Sequence, residues 1–311
     1  MKNGIYLAYV CALLNALIVG LSFLFTVKAL GPSNPMDVLA SRFSVGFLGF
    51  ALLASLKLVK VRLNLKSLYK LWPLTVFYPA FFFFFQAYGL KTVPSSEAGI
   101  LFAVIPILTA VLASLFLKER TTLLQKASIL LSVSGVIFIF FMKGSTVSLA
   151  NWSGLGFLLI SCLSIAAYSV MARNLLKSFK PLEVTYFMLG VGFIFFNAIA
   201  VINHLRNGDL EAMFTPWGNA GFAAAILFLG ILASFITSLL SNFVLSKIPA
   251  SQMSVFSNLS TVISIIAGAA FLNEKVYYYH IIGSTLIILG VIGTNLFKDK
   301  PADAGSSGKA S

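Results

Sequence analysis

Hydrophobic positions in this chain do not alternate with polar ones; they run. Ten apolar stretches can be counted, roughly 4 to 27, 36 to 56, 70 to 90, 95 to 117, 123 to 142, 153 to 173, 182 to 202, 218 to 245, 250 to 272 and 278 to 297. A helix needs about 20 apolar residues to cross the hydrocarbon of a bilayer. Each run therefore predicts one membrane-spanning helix, and little chain is left over for a soluble domain. The expected fold class is all-α integral membrane, with ten transmembrane helices.

The runs repeat. Leu90 to Ile139 returns as Leu245 to Thr294 at a constant offset of 155 residues, matching Pro94 with Pro249, Ser96 with Ser251, Glu119 with Glu274 and Gly135 with Gly290. A shorter echo pairs Pro35-Met36-Asp37-Val38 with Pro181-Leu182-Glu183-Val184, each at the head of a run. The chain thus divides into a first repeat, 1–146, a second, 147–298, and a tail, 299–311, rich in small residues and expected to be disordered. Five spans per half is an odd number, so the second half must enter the membrane upside down. The expectation is two inverted five-helix repeats about a pseudo-twofold axis in the membrane plane.

Composition agrees: 59% of residues are hydrophobic and only 10% charged, with a mean hydropathy of +0.96. The net charge of +13 would suit a polyanion such as nucleic acid, but its placement argues otherwise. With a cytoplasmic N-terminus, sixteen positive charges fall on inner connections against five on outer ones (Lys28, Lys91, Lys143, Arg206 and Lys275). That bias places both termini in the cytoplasm of a multi-pass protein of the cell membrane, with the lipid bilayer and not nucleic acid as the macroscopic partner. The aromatic residues Tyr69, Trp72, Trp152, Trp217 and Tyr277 to Tyr279 fall at the run boundaries, as interfacial anchors do. Cys11 and Cys162 sit inside apolar runs with no metal or disulfide spacing. The connection 203–216, holding His204, Asp209 and Glu211, reads as a solvated loop.

Polar groups inside hydrocarbon are costly, so they should face other helices or a cavity. At helical spacing the first run aligns Ala8, Cys11, Asn15, Ser22 and Thr26, and its mate, the sixth, aligns Ser161, Ser164, Tyr168 and Ala172. The eighth offers Ser234, Ser238, Ser241 and Asn242, and the ninth Ser254, Ser257, Asn258 and Thr261. Serines and threonines at such positions also serve helix packing, through interhelical hydrogen bonds. The candidate substrate-binding residues are Asn15, Ser22, Gln86, Ser161, Tyr168, Asn242, Ser257 and Asn258. The fourth run sets Gly99, Phe102, Ala103 and Pro106 where the ninth is polar, so the expected chamber has one polar and one apolar wall, suited to an amphipathic small molecule.

Charges within the spans are few, and a deep ionisable group is a functional hypothesis. Arg42 and Glu97 are the candidates for gating or proton coupling, with Arg42 close enough to the outer end to snorkel or pair with a nearby acid. One deep arginine and no lysine cluster disfavour sugar phosphates and nucleotides. No Ser-His-Asp, metal-ligand or phosphate-loop spacing appears, so no enzyme, metal or cofactor is expected.

The stretch Leu117-Lys118-Glu119-Arg120-Thr121 with Gln125 and Gly135-Val136, and its repeat Leu272-Asn273-Glu274-Lys275 with Gly290-Val291, resembles the repeated EamA domain of the drug/metabolite transporter superfamily. Ala40-Ser41-Arg42-Phe43 resembles the arginine segment of that domain's second helix, and Pro106 the proline of its fourth; Thr261 departs from the pattern in the second copy. The resemblance implies ten helices, cytoplasmic termini, and a central cavity lined by the first, third, fourth, sixth, eighth and ninth helices. It also commonly implies export of amino acids or related metabolites. The expectation is an inner-membrane transporter, a monomer or weak dimer, exporting a small neutral or zwitterionic metabolite by alternating access. The alternatives are an importer or exchanger of sugars or nucleosides, and a passive channel.

Overall fold

The computed structural model describes residues 2–59, 68–90, 92–93, 101–144, 152–272 and 275–297. Every regular element among them is helical. In chain order these are α1 (Lys2–Leu30), α2 (Pro35–Ser55), α4 (Ile105–Leu117), α5 (Leu123–Met142), α6 (Trp152–Leu175), α7 (Pro181–Asn207), α9 (Ala250–Leu272) and α10 (Tyr278–Leu296), with two interrupted helices between them. Of these two, α3 consists of Trp72–Thr75, a wide π turn Val76–Phe81, and Phe82–Gly89; α8 consists of Ala220–Leu227, a π stretch Phe228–Ile236, and Thr237–Lys247. Short 3-10 turns, Leu210–Met213 and Thr215–Gly218, join α7 to α8.

Among the described residues eight helices are long and apolar enough to cross a membrane: α1, α2 and α5 to α10. The third run is interrupted, and the fourth is described only from residue 101 on. Pro79 has no N–H to donate and forces its predecessor out of the helical region, so Tyr78 adopts φ −144°, ψ 122° and breaks α3. Helix α4 begins at Ile105 with Pro106 in its first turn, where a missing N–H costs nothing. Glu97, Gly99, Glu274 and the tail 299–311 lie outside the described residues. Helix α9 runs unbroken through Thr261.

Helix ends follow local chemistry. Asn34 accepts from the amides of Met36 and Asp37 at the head of α2, and Thr122 with Gln125 forms a reciprocal capping box on α5. The cap of α9 comes from far away. Glu119, in the connection after α4, accepts from the Ala250 amide (3.1 Å), the Ser251 amide (3.4 Å) and the Ser251 hydroxyl (3.0 Å). A carboxylate at a helix N-terminus is where the backbone dipole favours it.

The packing maps onto itself when each helix is exchanged for the one five places on. Helix α1 packs on α8 and α9, α6 on α3 and α4, α2 on α7, and α5 on α10. The α5–α10 contact is the most extensive. A methyl group on Gly290 would sit 2.5 Å from the Ser132 amide nitrogen, and one on Gly135 would sit 2.6 Å from the Gly283 carbonyl. These repeat-matched glycines are there because the backbones touch. Large apolar side chains cover the outside: Leu52, Phe116, Ile194 and Leu289 are all more than half exposed. In water that surface would aggregate; in lipid it is solvated.

Candidate functional site

The breaks in α3 and α8 fall at matched places, since residues 76–81 advanced by 155 give 231–236. Wide turns interrupt the regular carbonyl-to-amide ladder and recur at functional sites. Here they gather the polar side chains of the core.

Arg42 reaches from α2 to the middle of the 28-residue α8. Its Nε donates to Ser234 Oγ at 2.6 Å and its Nη2 to the Ala233 carbonyl at 2.6 Å. The guanidinium lies over the Phe83 ring, 4.9 Å from its centroid, and the Tyr78 hydroxyl sits beside both Arg42 and Ser238. No carboxylate within ion-pair distance of Arg42 is found among the described residues. The reason is geometric. The side chain points across the bundle toward the π stretch, away from the nearby end of α2. The residue is half-buried.

Below it runs a chain of neutral polar contacts. The break at Tyr78 turns its ring onto that of Tyr168, with centroids 4.8 Å apart. The Tyr168 hydroxyl donates to Asn242 Oδ1 at 2.9 Å, and Asn242 Nδ2 donates to Thr185 Oγ1 at 2.9 Å. Three helices, α6, α7 and α8, are thereby joined at one fully buried amide.

The other sequence-nominated residues fall into two groups. Asn15 donates to Ser241 Oγ (2.7 Å) and the Thr237 carbonyl (2.9 Å) of α8, Asn258 to Ser132 Oγ (3.1 Å) of α5, and Ser161 to the Phe82 carbonyl (2.9 Å) of α3. These three are buried and spent between helices. Ser22 bonds only within its own helix and stays half-exposed; Ser257 does the same and is exposed. Gln86 is half-exposed, one turn past Phe82, with no hydrogen bond among the described residues. Glu97 lies outside them. Arg173 Nη1 binds the Leu245 carbonyl at 2.7 Å and feels the charge of Glu119, which closes the end of the bundle where α8 passes into α9.

The structure also gathers residues that the sequence reading passed over. Tyr78 was signalled by Tyr-Pro within an apolar run. Asn197 was signalled by an amide in the seventh run; it donates to Ser44 Oγ at 2.8 Å and ties α7 to α2. Thr185 had no signal beyond its hydroxyl. The segment 203–216 is exposed along most of its length, as expected of a solvated loop, but His204 within it is 6% exposed and bonded to carboxylates on both sides. The turn after α7 folds back on the helix end.

Long apolar helices with lipid-facing exteriors and a polar seam between them define a multi-pass membrane protein. A family model described as the EamA-like transporter family matches residues 6–141 and again 152–296. This chain belongs to that family, and it is a transporter. It is 45% identical over 293 residues to an uncharacterized transporter of Bacillus subtilis (strain 168), with 94% of each chain covered. A protein of Streptantibioticus cattleyicolor described as a probable terminal-alkyne amino-acid exporter is 24% identical over 211 residues, covering 67% of this chain and 66% of that one. A crystal structure superposes with a TM-score of 0.76 at 19% identity, over 93% of this chain and 96% of the other, a likeness of fold.

Proposed function

We propose that this transporter exports a small neutral or zwitterionic metabolite, an amino acid or close relative, across the cell membrane by alternating access. The observation that carries this reading is the Arg42 guanidinium, held deep in the bundle beside Tyr78 and Phe83 with no acid to neutralise it among the described residues. A planar fork of N–H donors matches a carboxylate, and a desolvated cation is strongly favoured by one. The rings beside it supply apolar contact for a carbon body. A single cation, with no second basic group at that depth among the described residues, suits one carboxylate better than a phosphate.

In this reading the chain crosses the membrane ten times, α3 and α4 included, as two inverted halves, 1–146 and 147–298, with both termini in the cytoplasm. The exchange symmetry of the packing and the two consecutive family matches support it. Gln86, Ser22 and Ser257, which keep exposure, line the path. Tyr168, Asn242, Asn15, Ser161 and Asn258 hold the helices that shape it. The name of the Streptantibioticus relative supports the substrate class and the outward direction.

The test is counterflow in proteoliposomes against a panel of amino acids, deaminated analogues and nucleosides. Saturable uptake, stimulated by the same compound on the other side, is expected for carboxylates. Arg42→Gln should lower it by tenfold or more, while Arg42→Lys retains part. A flux that never saturates would mean a pore, and nucleoside exchange indifferent to Arg42 would discard the assignment.

A further inference from the structure

At the end of the bundle where α7 stops and α2 starts, His204 lies between two carboxylates. Its Nε2 is 2.9 Å from Asp37 Oδ2 and its Nδ1 is 2.8 Å from Asp209 Oδ1. Both partners are acceptors. A neutral imidazole has one N–H and one lone pair, so it can satisfy only one of them; the other contact would set a lone pair against an oxygen. The arrangement needs one proton more than a neutral ring with two carboxylates, and imidazole is the more basic group.

The chain is built to make this contact. Gly208, at φ 73°, ends α7 in the left-handed region and reverses the backbone, so that the Asp209 amide bonds the His204 carbonyl and its carboxylate returns to the ring. On the other side, Asn34 caps α2 and donates through Nδ2 to Asp37 Oδ2 at 2.6 Å, which fixes that carboxylate toward His204. The ionisable and charged groups around the ring are Asp37 from α2, Asp209 from the turn, Arg206 from the end of its own helix, and Tyr88 from α3. A cleft of about 270 Å³ lined in part by Asn34, Asp37, Tyr88, His204 and Arg206 opens beside it. Asp37 and His204 are buried, whereas the Asp209 side chain is 46% exposed, which gives a proton a way in from water.

We propose that Asp37, His204 and Asp209 form a proton-binding site in which a single proton on His204 clasps the start of α2 to the end of α7. Loss of that proton removes one of the two hydrogen bonds and sets a ring lone pair against a carboxylate oxygen. Separation of the helix ends releases the proton to that face, and by linkage acid on that face favours their closure.

The chain has two histidines, so His280→Gln leaves His204 alone for ring ¹⁵N spectroscopy in nanodiscs. At pH 7.5 both ring nitrogens should resonate as imidazolium, and Asp37→Asn should convert the ring to a neutral tautomer. A neutral ring at pH 7.5 in the single-histidine protein would overturn the proton site. The clasp is read by hydrogen exchange over Met36 to Ala40 at one fixed pH, expected to be at least tenfold faster in His204→Gln. The milder Asp209→Asn, at the exposed partner, serves if that variant misfolds and should accelerate exchange at least threefold. Exchange unchanged in the folded variants would overturn the clasp.

Discussion

Asn242 carries more of the core than its size suggests. It accepts from Tyr168 and donates to Thr185, so Asn242→Ala strands two buried hydroxyl groups on two other helices. Leaving a buried polar group unsatisfied costs about 1–3 kcal/mol each. The variant should unfold at a lower temperature in detergent, by more than Tyr168→Phe, which removes only one donor. Equal melting points would mean that water replaces the amide. Of this network the chain alone offered Tyr168 and Asn242 as polar residues on apolar helices. It did not offer the partnership, because Thr185 looks like any threonine in a span and the three sit on three helices. The same holds for Arg42. Its depth was legible, but its partner was not, since the direction of a long side chain depends on what the neighbouring helix leaves open.

Among the helices, the α5–α10 seam makes the sharpest demand. Gly290→Leu should lower expression and melting temperature severely, because even its first carbon would overlap the Ser132 backbone. Gly156, on α6, has nothing within 4 Å of its added carbon. Gly156→Ala should therefore be neutral or stabilising by up to about 1 kcal/mol, the helix-propensity difference. The repeat had already paired Gly135 with Gly290. Sequence identity said the two positions matter alike, and only packing says that they matter by letting backbones touch. The head of α9 is a second case. Glu119→Gln keeps the shape of the cap but loses its charge-assisted bonds to Ala250 and Ser251. Amide exchange over the first turn of α9 should rise several-fold. The motif containing Glu119 was visible, yet its task lies across the chain at residue 250, beyond any local pattern.

For the molecule as a whole, the orientation is the testable quantity. In the proposed topology a membrane-impermeant amine reagent added to intact cells should modify Lys275 and spare Lys118, with both reacting after permeabilisation. Reaction of Lys118 in sealed cells would overturn the inverted arrangement. The packing exchange that maps α1 with α8 and α9 onto α6 with α3 and α4 makes the expected alternation possible, because one site between the halves can then be approached from either side.

The sequence by itself determined that the chain is a multi-helix membrane protein made of a repeated unit, because burial in hydrocarbon acts on each run separately and leaves its mark in twenty-residue blocks. Tertiary structure decided which polar groups answer which. Arg42 found a carbonyl in a π stretch 191 residues away and His204 found Asp37 across 167. Those pairings depend on how helices cross, and crossing is set by the sum of many side-chain contacts that no single run contains.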